Sequence, residues 1–306
     1  MASFFTTLIV VPWLIKNLKN TSAVGRDLNK KGYPIIPEMG GLGVVIGFYV
    51  GIVILTIVGN DTLSSSIFYL SLLAVLGAAV TGIMDDLFNL RQRVKAILPF
   101  IFAIPLGSAM LNLNNTILLG IDFGVLIILI APFGITAAAN AANMLEGFNG
   151  LGAGLGIIIT SAMIILSIIL NRTEGLFLLF PLLGALIAFL WFNKYPAKIF
   201  PGDSMTLFVG ATIACAAIVS NMKSIGAVLF IPMIIEFFLK LRGHFRGENY
   251  GQVGEDGQLS YEGRIESLAH LIMKWRKLKE WQLVAVLWIT EIFVCTIAIV
   301  AVVLTM

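Results

Sequence analysis

The feature that most restricts this chain is the length of its uncharged apolar runs. Phe123 to Ala139 and Leu151 to Leu170 contain no ionisable side chain, and Leu283 to Leu304 contains only Glu291. A bilayer core is crossed by roughly 20 predominantly apolar helical residues, so runs of this kind are transmembrane spans. Only 12% of the 306 residues are charged and 58% are hydrophobic. A soluble domain carries about 25% charged residues, which excludes a soluble globular class.

Ten stretches fit this description: Phe4 to Ile15, Gly41 to Val58, Phe68 to Met84, Ala96 to Leu111, Phe123 to Ala139, Leu151 to Leu170, Leu176 to Phe192, Met205 to Ser220, Ile225 to Leu239 and Leu283 to Leu304. The expected fold class is therefore an all-α integral membrane protein of about ten transmembrane helices in one bundle. No composition break divides it, so residues 1–306 form a single polytopic domain, with a cytoplasmic insertion at about 242–281. The first stretch has no basic residue before it and no small-residue cleavage site after it, and reads as a retained span. Cys215 and Cys295 lie inside spans as small apolar fillers, without a disulfide or metal pattern.

Basic residues are retained preferentially on the cytoplasmic side. With both termini external, the internal loops collect 18 of the 20 Lys and Arg residues, and only Arg172 and Lys223 fall outside. The external loops are short; Asn112 to Asp122 predicts a small hairpin. The last internal loop predicts a hairpin over Asn249 to Glu262 with its turn at Gly254 to Gly257. Ile265, Leu268, Leu271, Ile272, Trp275 and Leu278 follow at helical spacing beside Lys274, Arg276, Lys277 and Lys279, as in a helix lying in the membrane interface.

Ionisable groups at membrane depth are expensive and invite a functional explanation. Four clusters of such groups lie on the internal face. Asp85-Asp86 closes the third span, and Asn89, Arg91, Arg93 and Lys95 follow; adjacent carboxylates repel unless a cation, a basic side chain or water relieves them, and the basic residues could do this, could equally hold a diphosphate, or could form an ordinary membrane-border run. Asn140, Asn143 and Glu146 stand three apart on one helical stripe, and Asn149 sits in a glycine run with Gly147, Gly150, Gly152 and Gly154. Phe200-Pro201-Gly202-Asp203-Ser204 opens the eighth span, where Asp203 is either a helix cap or a metal ligand and Phe200 offers a face to a base. Arg242, His244 and Arg246 suit phosphate oxygens, or form an ordinary membrane-border basic run. Acidic and amide oxygens, cations and an aromatic ring on one face suit a divalent cation, of which Mg2+ is the natural choice, together with a nucleotide and a lipid.

These residues resemble the polyprenyl-phosphate N-acetylhexosamine-1-phosphate transferases (glycosyltransferase family 4), most of all the dolichyl-phosphate N-acetylglucosamine-phosphotransferase branch of eukaryotes and archaea. The resemblance rests on Asp27 to Lys30, Ile36 to Glu38, Asp85 to Lys95, Asn140 to Gly150 and Tyr195 to Asp203, and covers nearly the whole chain. It implies ten spans, a cytoplasmic-face active site and Mg2+ dependence. By motif, Asn143 and Asp203 would hold Mg2+ and Lys95 would contact phosphates. Asp85 and Asp86 would organise the catalytic centre with Asp203. Gly147, Asn149 and Phe200 would receive uracil, Glu38 would sit near the nucleotide, and Arg242, His244 and Arg246 would meet the diphosphate and sugar.

The implied reaction is transfer of N-acetylglucosamine-1-phosphate from UDP-N-acetylglucosamine to a polyprenyl or dolichyl phosphate, releasing UMP. Bacterial members usually have aspartates where Glu146 and Asn149 stand, and the basic motif here is Arg-Gly-His-Phe-Arg rather than a tighter Arg-His-Arg. A bacterial-type transferase using undecaprenyl phosphate or another UDP-N-acetylhexosamine is the alternative within the class. A secondary transporter is the alternative outside it, if Glu236 and Glu291 share a cavity away from Asp203. No nucleic-acid partner is expected, and the oligomeric state is open, a homodimer being one option.

Overall fold

The computed structural model describes residues 1–58, 65–245 and 247–306. Arg246, singled out above, lies outside the described residues. The order is α1 (Ala2–Leu18), β1 (Val24–Arg26), β2 (Ile35–Pro37), α2 (Gly41–Val58), α3 (Ser66–Phe88), α4 (Gln92–Asn112), β3 (Ile117–Leu118), β4 (Ile121–Asp122), α5 (Ile127–Met144), α6 (Leu151–Ile169), α7 (Leu176–Asn193), α8 (Asp203–Val219), α9 (Lys223–Leu229), α10 (Ile231–Arg242), β5 (Gln252–Val253), β6 (Leu259–Ser260), α11 (Leu268–Trp275) and α12 (Glu280–Thr305). Every apolar stretch of the sequence is helical, and the protein is a multi-pass integral membrane protein.

Helix length and composition do not by themselves confirm ten spans. Among the described residues seven helices are individually long and apolar enough to cross a membrane, and α9 with α10 makes an eighth if the pair is one span. That pair is bent by 63°. The break falls at Phe230, just before Pro232 in the first turn of α10. Proline lacks an N–H and fits a helix start rather than a continuing helix. α1 and α8 have 17 residues each, a rise of about 25 Å against a hydrocarbon core of roughly 30 Å.

α8 is the centre of the bundle. Fourteen of its residues, from Ser204 to Ile218, are buried, because protein rather than lipid surrounds it. Small residues permit that: a Cβ on Gly210 would collide with the Ala138 carbonyl of α5, and one on Gly82 of α3 with the backbone of Asp203. Backbone contact this close replaces the hydrophobic drive that lipid does not supply between helices. Both cysteines are buried, Cys215 on α8 and Cys295 on α12.

Among the described residues three two-stranded antiparallel ribbons lie outside the helices. β3 pairs with β4, and β5 with β6 through Gln252↔Ser260 and Val253↔Leu259, both where the sequence predicts hairpins. The second turn is closed by Gly257, at φ +73°, donating to the Gly254 carbonyl at 3.0 Å. β1 and β2 form a third ribbon, Val24↔Pro37 to Arg26↔Ile35, which the sequence reading lacks. The expected interfacial helix is shorter than its periodic pattern: α11 holds 8 residues, with Trp275 85% exposed and His270 buried. Ser267 caps it, accepting from Ala269 N–H at 3.2 Å and donating to buried Glu236 of α10 at 3.2 Å.

The loops fall at two ends. Asn29 reaches Gly147, Asn149 reaches Glu280 and Phe200 reaches Pro37, which gathers the polar loops at one end. Arg172 bonds the Asn221 carbonyl and Lys223 bonds Asn115, which puts the two exceptional basic residues together at the other.

Candidate active site

Two adjacent aspartates on one helix project about 100° apart, and α3 uses the divergence. Asp85 faces α4. Its Oδ1 accepts the Leu90 N–H at 2.8 Å, and its Oδ2 accepts Lys95 Nζ at 2.8 Å. Asn89 ends the helix at φ +51°, returning its N–H to the Asp85 carbonyl. Asp86 faces α8 and accepts the N–H of Asp203 at 2.7 Å and of Ser204 at 3.1 Å. It therefore caps the positive end of a neighbouring helix, where orphan donors and the helix dipole both favour an anion. Gly202 makes this possible, with φ at +68° and a position where any Cβ would strike the Asp86 carboxylate.

Asp203 is thus the first residue of α8 and does not cap it, which removes the cap alternative. Its carboxylate forms an ion pair with Lys95 and accepts Asn143 Nδ2 at 3.1 Å. Lys95 is 7% exposed and bridges Asp85 and Asp203, drawing α3, α4 and α8 together. Asn143, in the last turn of α5, also accepts from Thr206 Oγ1 at 3.1 Å. Asp85, Asp86, Lys95, Asn143 and Asp203 therefore meet at one end of the bundle.

Glu38 stands beside this group. Burial pushes its carboxyl above the usual range, and the neighbouring Asp86 charge adds to the shift. The loop that carries Glu38 is joined to the Phe-Pro-Gly-Asp segment by Phe200 N–H to the Pro37 carbonyl at 2.8 Å and Gly40 N–H to the Phe200 carbonyl at 2.9 Å. Glu146, between α5 and α6, is buried and pushed up to about 7, first by burial, with Asp203 adding to the shift against the N–H groups of Gly147 and Gly152. A buried acid whose folded value lies above its unfolded one stabilises the protein at low pH and loses that stabilisation as pH rises towards the folded value. Wild type is therefore expected to lose on the order of 2 kcal/mol relative to Glu146→Gln between about pH 5 and pH 8. Denaturant unfolding of both proteins in detergent at the two pH values checks this, and parallel curves would count against it.

The remaining predicted residues are distributed differently. Gly147, at φ +146°, has its carbonyl bonded by Asn29 Nδ2 at 2.8 Å. Asn149 is 4% exposed. Its amide is held by Asp27 Oδ2 at 3.0 Å and Glu280 Oε2 at 3.5 Å, and its N–H by Glu280 Oε1 at 2.7 Å. Lys30 pairs with Asp27 and lies 3.7 Å from Glu280. Phe200 is half-buried, while Arg242 and His244 are exposed at the end of α10. Glu280 is missing from the sequence reading; its only signal there is a carboxylate at the mouth of the last span.

An apolar groove of about 840 Å³ opens from this cluster. Lys95, Asn140, Asn143 and Lys240 stand at its polar end, and Met110, Ile127 and Lys223 at the other. Between them Ala131, Ile135, Phe230, Ile234 and Phe238 line it, so it follows α5 across the thickness of the bundle. Neither Arg242 nor His244 lines it, and neither Glu236 nor Glu291 does. Glu236 anchors α11 through Ser267 and Leu268, and Glu291 accepts from Cys295 at 3.5 Å within its own helix. The shared cavity that a transporter reading requires of these two residues is not what they form.

The oxygen donors suit a hard cation. Among the described residues no three His, Cys, Asp or Glu side chains form a ready cage, and Mg2+ needs only one or two carboxylates beside substrate phosphates and water. Asn143 can supply its oxygen next to Asp203 by turning its amide over, because Thr206 Oγ1 accepts as well as donates. The residues present therefore fit such an ion.

The profile of glycosyl transferase family 4 matches residues 67–221, just over half of the chain. A Saccharolobus solfataricus protein, provisionally named a UDP-N-acetylglucosamine–dolichyl-phosphate N-acetylglucosaminephosphotransferase, is 40% identical over 98% of this chain and 94% of its own length. The Dictyostelium discoideum protein of that name is 26% identical over 76% of this chain and 68% of its own length. A phospho-N-acetylmuramoyl-pentapeptide-transferase of Wolbachia pipientis is 29% identical over 76% of this chain and 77% of its own. The matched segment runs from α3 to the end of α8 and so contains Asp85, Asp86, Lys95, Asn143 and Asp203. On the profile match and the near full-length identity, the chain belongs to glycosyl transferase family 4.

Proposed function

We propose that this enzyme transfers N-acetylglucosamine-1-phosphate from UDP-N-acetylglucosamine to a polyprenyl phosphate of the dolichyl type, releasing UMP, at the cytoplasmic face of its membrane. The observation that carries this reading is the placement of Lys95, Asn143 and Asp203 at the head of an apolar groove as long as the bundle. Such a groove suits an isoprenoid tail whose phosphate reaches the cluster. The dolichyl substrate follows the names of the Saccharolobus and Dictyostelium relatives. The cytoplasmic assignment follows the basic residues of the polar end.

In this mechanism a lipid phosphate oxygen attacks the sugar-linked phosphorus. The new P–O bond forms as the bond to the bridging oxygen breaks, and UMP leaves with that oxygen and its electron pair. A phosphate monoester has its second pKa near about 6, so the nucleophile is already largely ionised and needs no strong base. Asp85 holds Lys95 in place, and Lys95 presents its charge to phosphate oxygens. Asp86 fixes the start of α8 and with it the position of Asp203. Mg2+, held by Asp203 and Asn143, would supply Lewis-acid stabilisation of the charge on the diphosphate. Phosphoryl transfer depends chiefly on such positioning and charge neutralisation.

UMP release from UDP-N-acetylglucosamine by purified protein is the test. Release is expected only when a polyprenyl phosphate and Mg2+ are both present, and EDTA should abolish it. Product masses with dolichyl and undecaprenyl phosphate, and with other UDP-N-acetylhexosamines, identify lipid and sugar. Absence of UMP with every polyprenyl phosphate offered would overturn the reading.

A further inference from the structure

We infer that Lys240 binds the phosphate of the acceptor lipid at the head of the groove; this rests on the proposed use of a polyprenyl phosphate. Lys95 reaches the polar end of the groove from α4, and Lys240 reaches it from α10. Lys223 stands at the far end, and among the described residues no Asp or Glu lines the groove anywhere. Its polar end is therefore positive, as an anionic headgroup requires.

The charge of Lys240 is directed there by what its neighbours do. Glu236 precedes it by four residues, the spacing and order at which a helical Glu–Lys pair forms. That pair is not made. Glu236 Oε2 accepts from Ser267 Oγ at 3.2 Å and from the Leu268 N–H at 2.8 Å, which commits it to the start of α11. Lys240 donates instead to the Gly247 carbonyl at 2.5 Å, and Gly247 itself lines the groove. Glu266 braces this turn, because its carboxylate lies where a Cβ on either Gly243 or Gly247 would collide with it.

Lys240 is 7% exposed, and among the described residues it forms no ion pair. A buried ammonium without a counter-charge is costly. One carbonyl takes one of its three protons, and the others suit phosphate oxygens, to which charge-assisted bonds are strong. Lys95 differs, because Asp85 and Asp203 already share it. The two cations therefore divide the work. Lys95 stays with the Asp203 cluster and the donor diphosphate, while Lys240, on the same helix as the groove residues Ile234 and Phe238, holds the attacking phosphate. Two phosphates that must meet repel one another, and a separate cation on each offsets that repulsion and fixes the approach. Arg242 and His244, two and four residues further on, are exposed and do not line the groove.

The test is the ratio of affinities for a polyprenyl monophosphate and the uncharged polyprenol of the same chain, measured by binding to the purified full chain in detergent. Wild type is expected to prefer the phosphate. Lys240→Met keeps the apolar stem and should cut that preference by about tenfold or more, with affinity for UDP-N-acetylglucosamine unchanged. Lys240→Gln, whose amide still offers a donor to the Gly247 carbonyl, replaces it as the readout if Lys240→Met unfolds. A merely structural role would weaken phosphate and alcohol alike. An unchanged ratio in a folded variant, or an equal loss for UDP-N-acetylglucosamine, overturns the inference while leaving the proposed function standing. A wild type that does not prefer the phosphate overturns both.

Discussion

Asp203→Asn is expected to remain folded and to lose turnover by about a thousandfold or more. What Asp203 gives to the architecture comes from its backbone, whose N–H bonds Asp86 at 2.7 Å, and the substitution leaves that bond intact. What its side chain gives is one of two carboxylates sharing Lys95. Removing one leaves Lys95 paired with Asp85, a neutral pair rather than a buried unpaired charge, so the fold loses little. The chemistry loses the anionic oxygen proposed to hold Mg2+ beside Asn143, and a neutral amide is a poorer ligand for a hard cation. UMP release at saturating UDP-N-acetylglucosamine and polyprenyl phosphate, across a Mg2+ titration, reads the first effect. A thermal unfolding midpoint in detergent reads the second. Turnover near that of wild type would remove Asp203 from the centre of the reaction.

The central cluster was legible because each member stands where an ionisable or amide group is costly. Asp85, Asp86, Lys95, Asn143 and Asp203 all lie within a turn or two of the end of an apolar helix. What the sequence does not reveal is which partner each takes. Asp203 reads as either a cap or a ligand and Asp86 as part of the catalytic centre, yet Asp86 is the residue that caps the helix beginning with Asp203.

Elements were legible where their pattern is local, as with the ribbons at β3–β4 and β5–β6. They were not where the cause is tertiary. The Asn149 network joins residues 122 and 131 positions apart, and no window of sequence contains both ends. The break at Phe230 was marked only by Pro232 inside an otherwise continuous apolar run. Nothing in the sequence sets α8 apart from the other spans although it is enclosed by protein, because an apolar stretch looks the same in either setting.

Lys95→Met is the substitution expected to damage both fold and activity, and a second change should separate the two. Methionine keeps most of the apolar stem of a residue that is 7% exposed, so packing is largely preserved while the charge is removed. Asp85 and Asp203 then face one another with no cation between them. Breaking a buried pair by removing one partner costs about 3–5 kcal/mol, because the surviving charge is left uncompensated. Adding Asp203→Asn removes one of the two carboxylates. The double variant should therefore be more stable than Lys95→Met alone, by a coupling on the order of 1–3 kcal/mol in denaturant unfolding. UMP release should stay at background in both, since the cation proposed to receive the phosphate oxygens is missing in each. Because Asp203→Asn alone is expected to stop turnover, the double variant reads stability only, and the role of the charge is read in folded Lys95→Met. UMP release near that of wild type there would make Lys95 only a spacer between carboxylates, and loss of release from folded protein makes its charge part of the reaction.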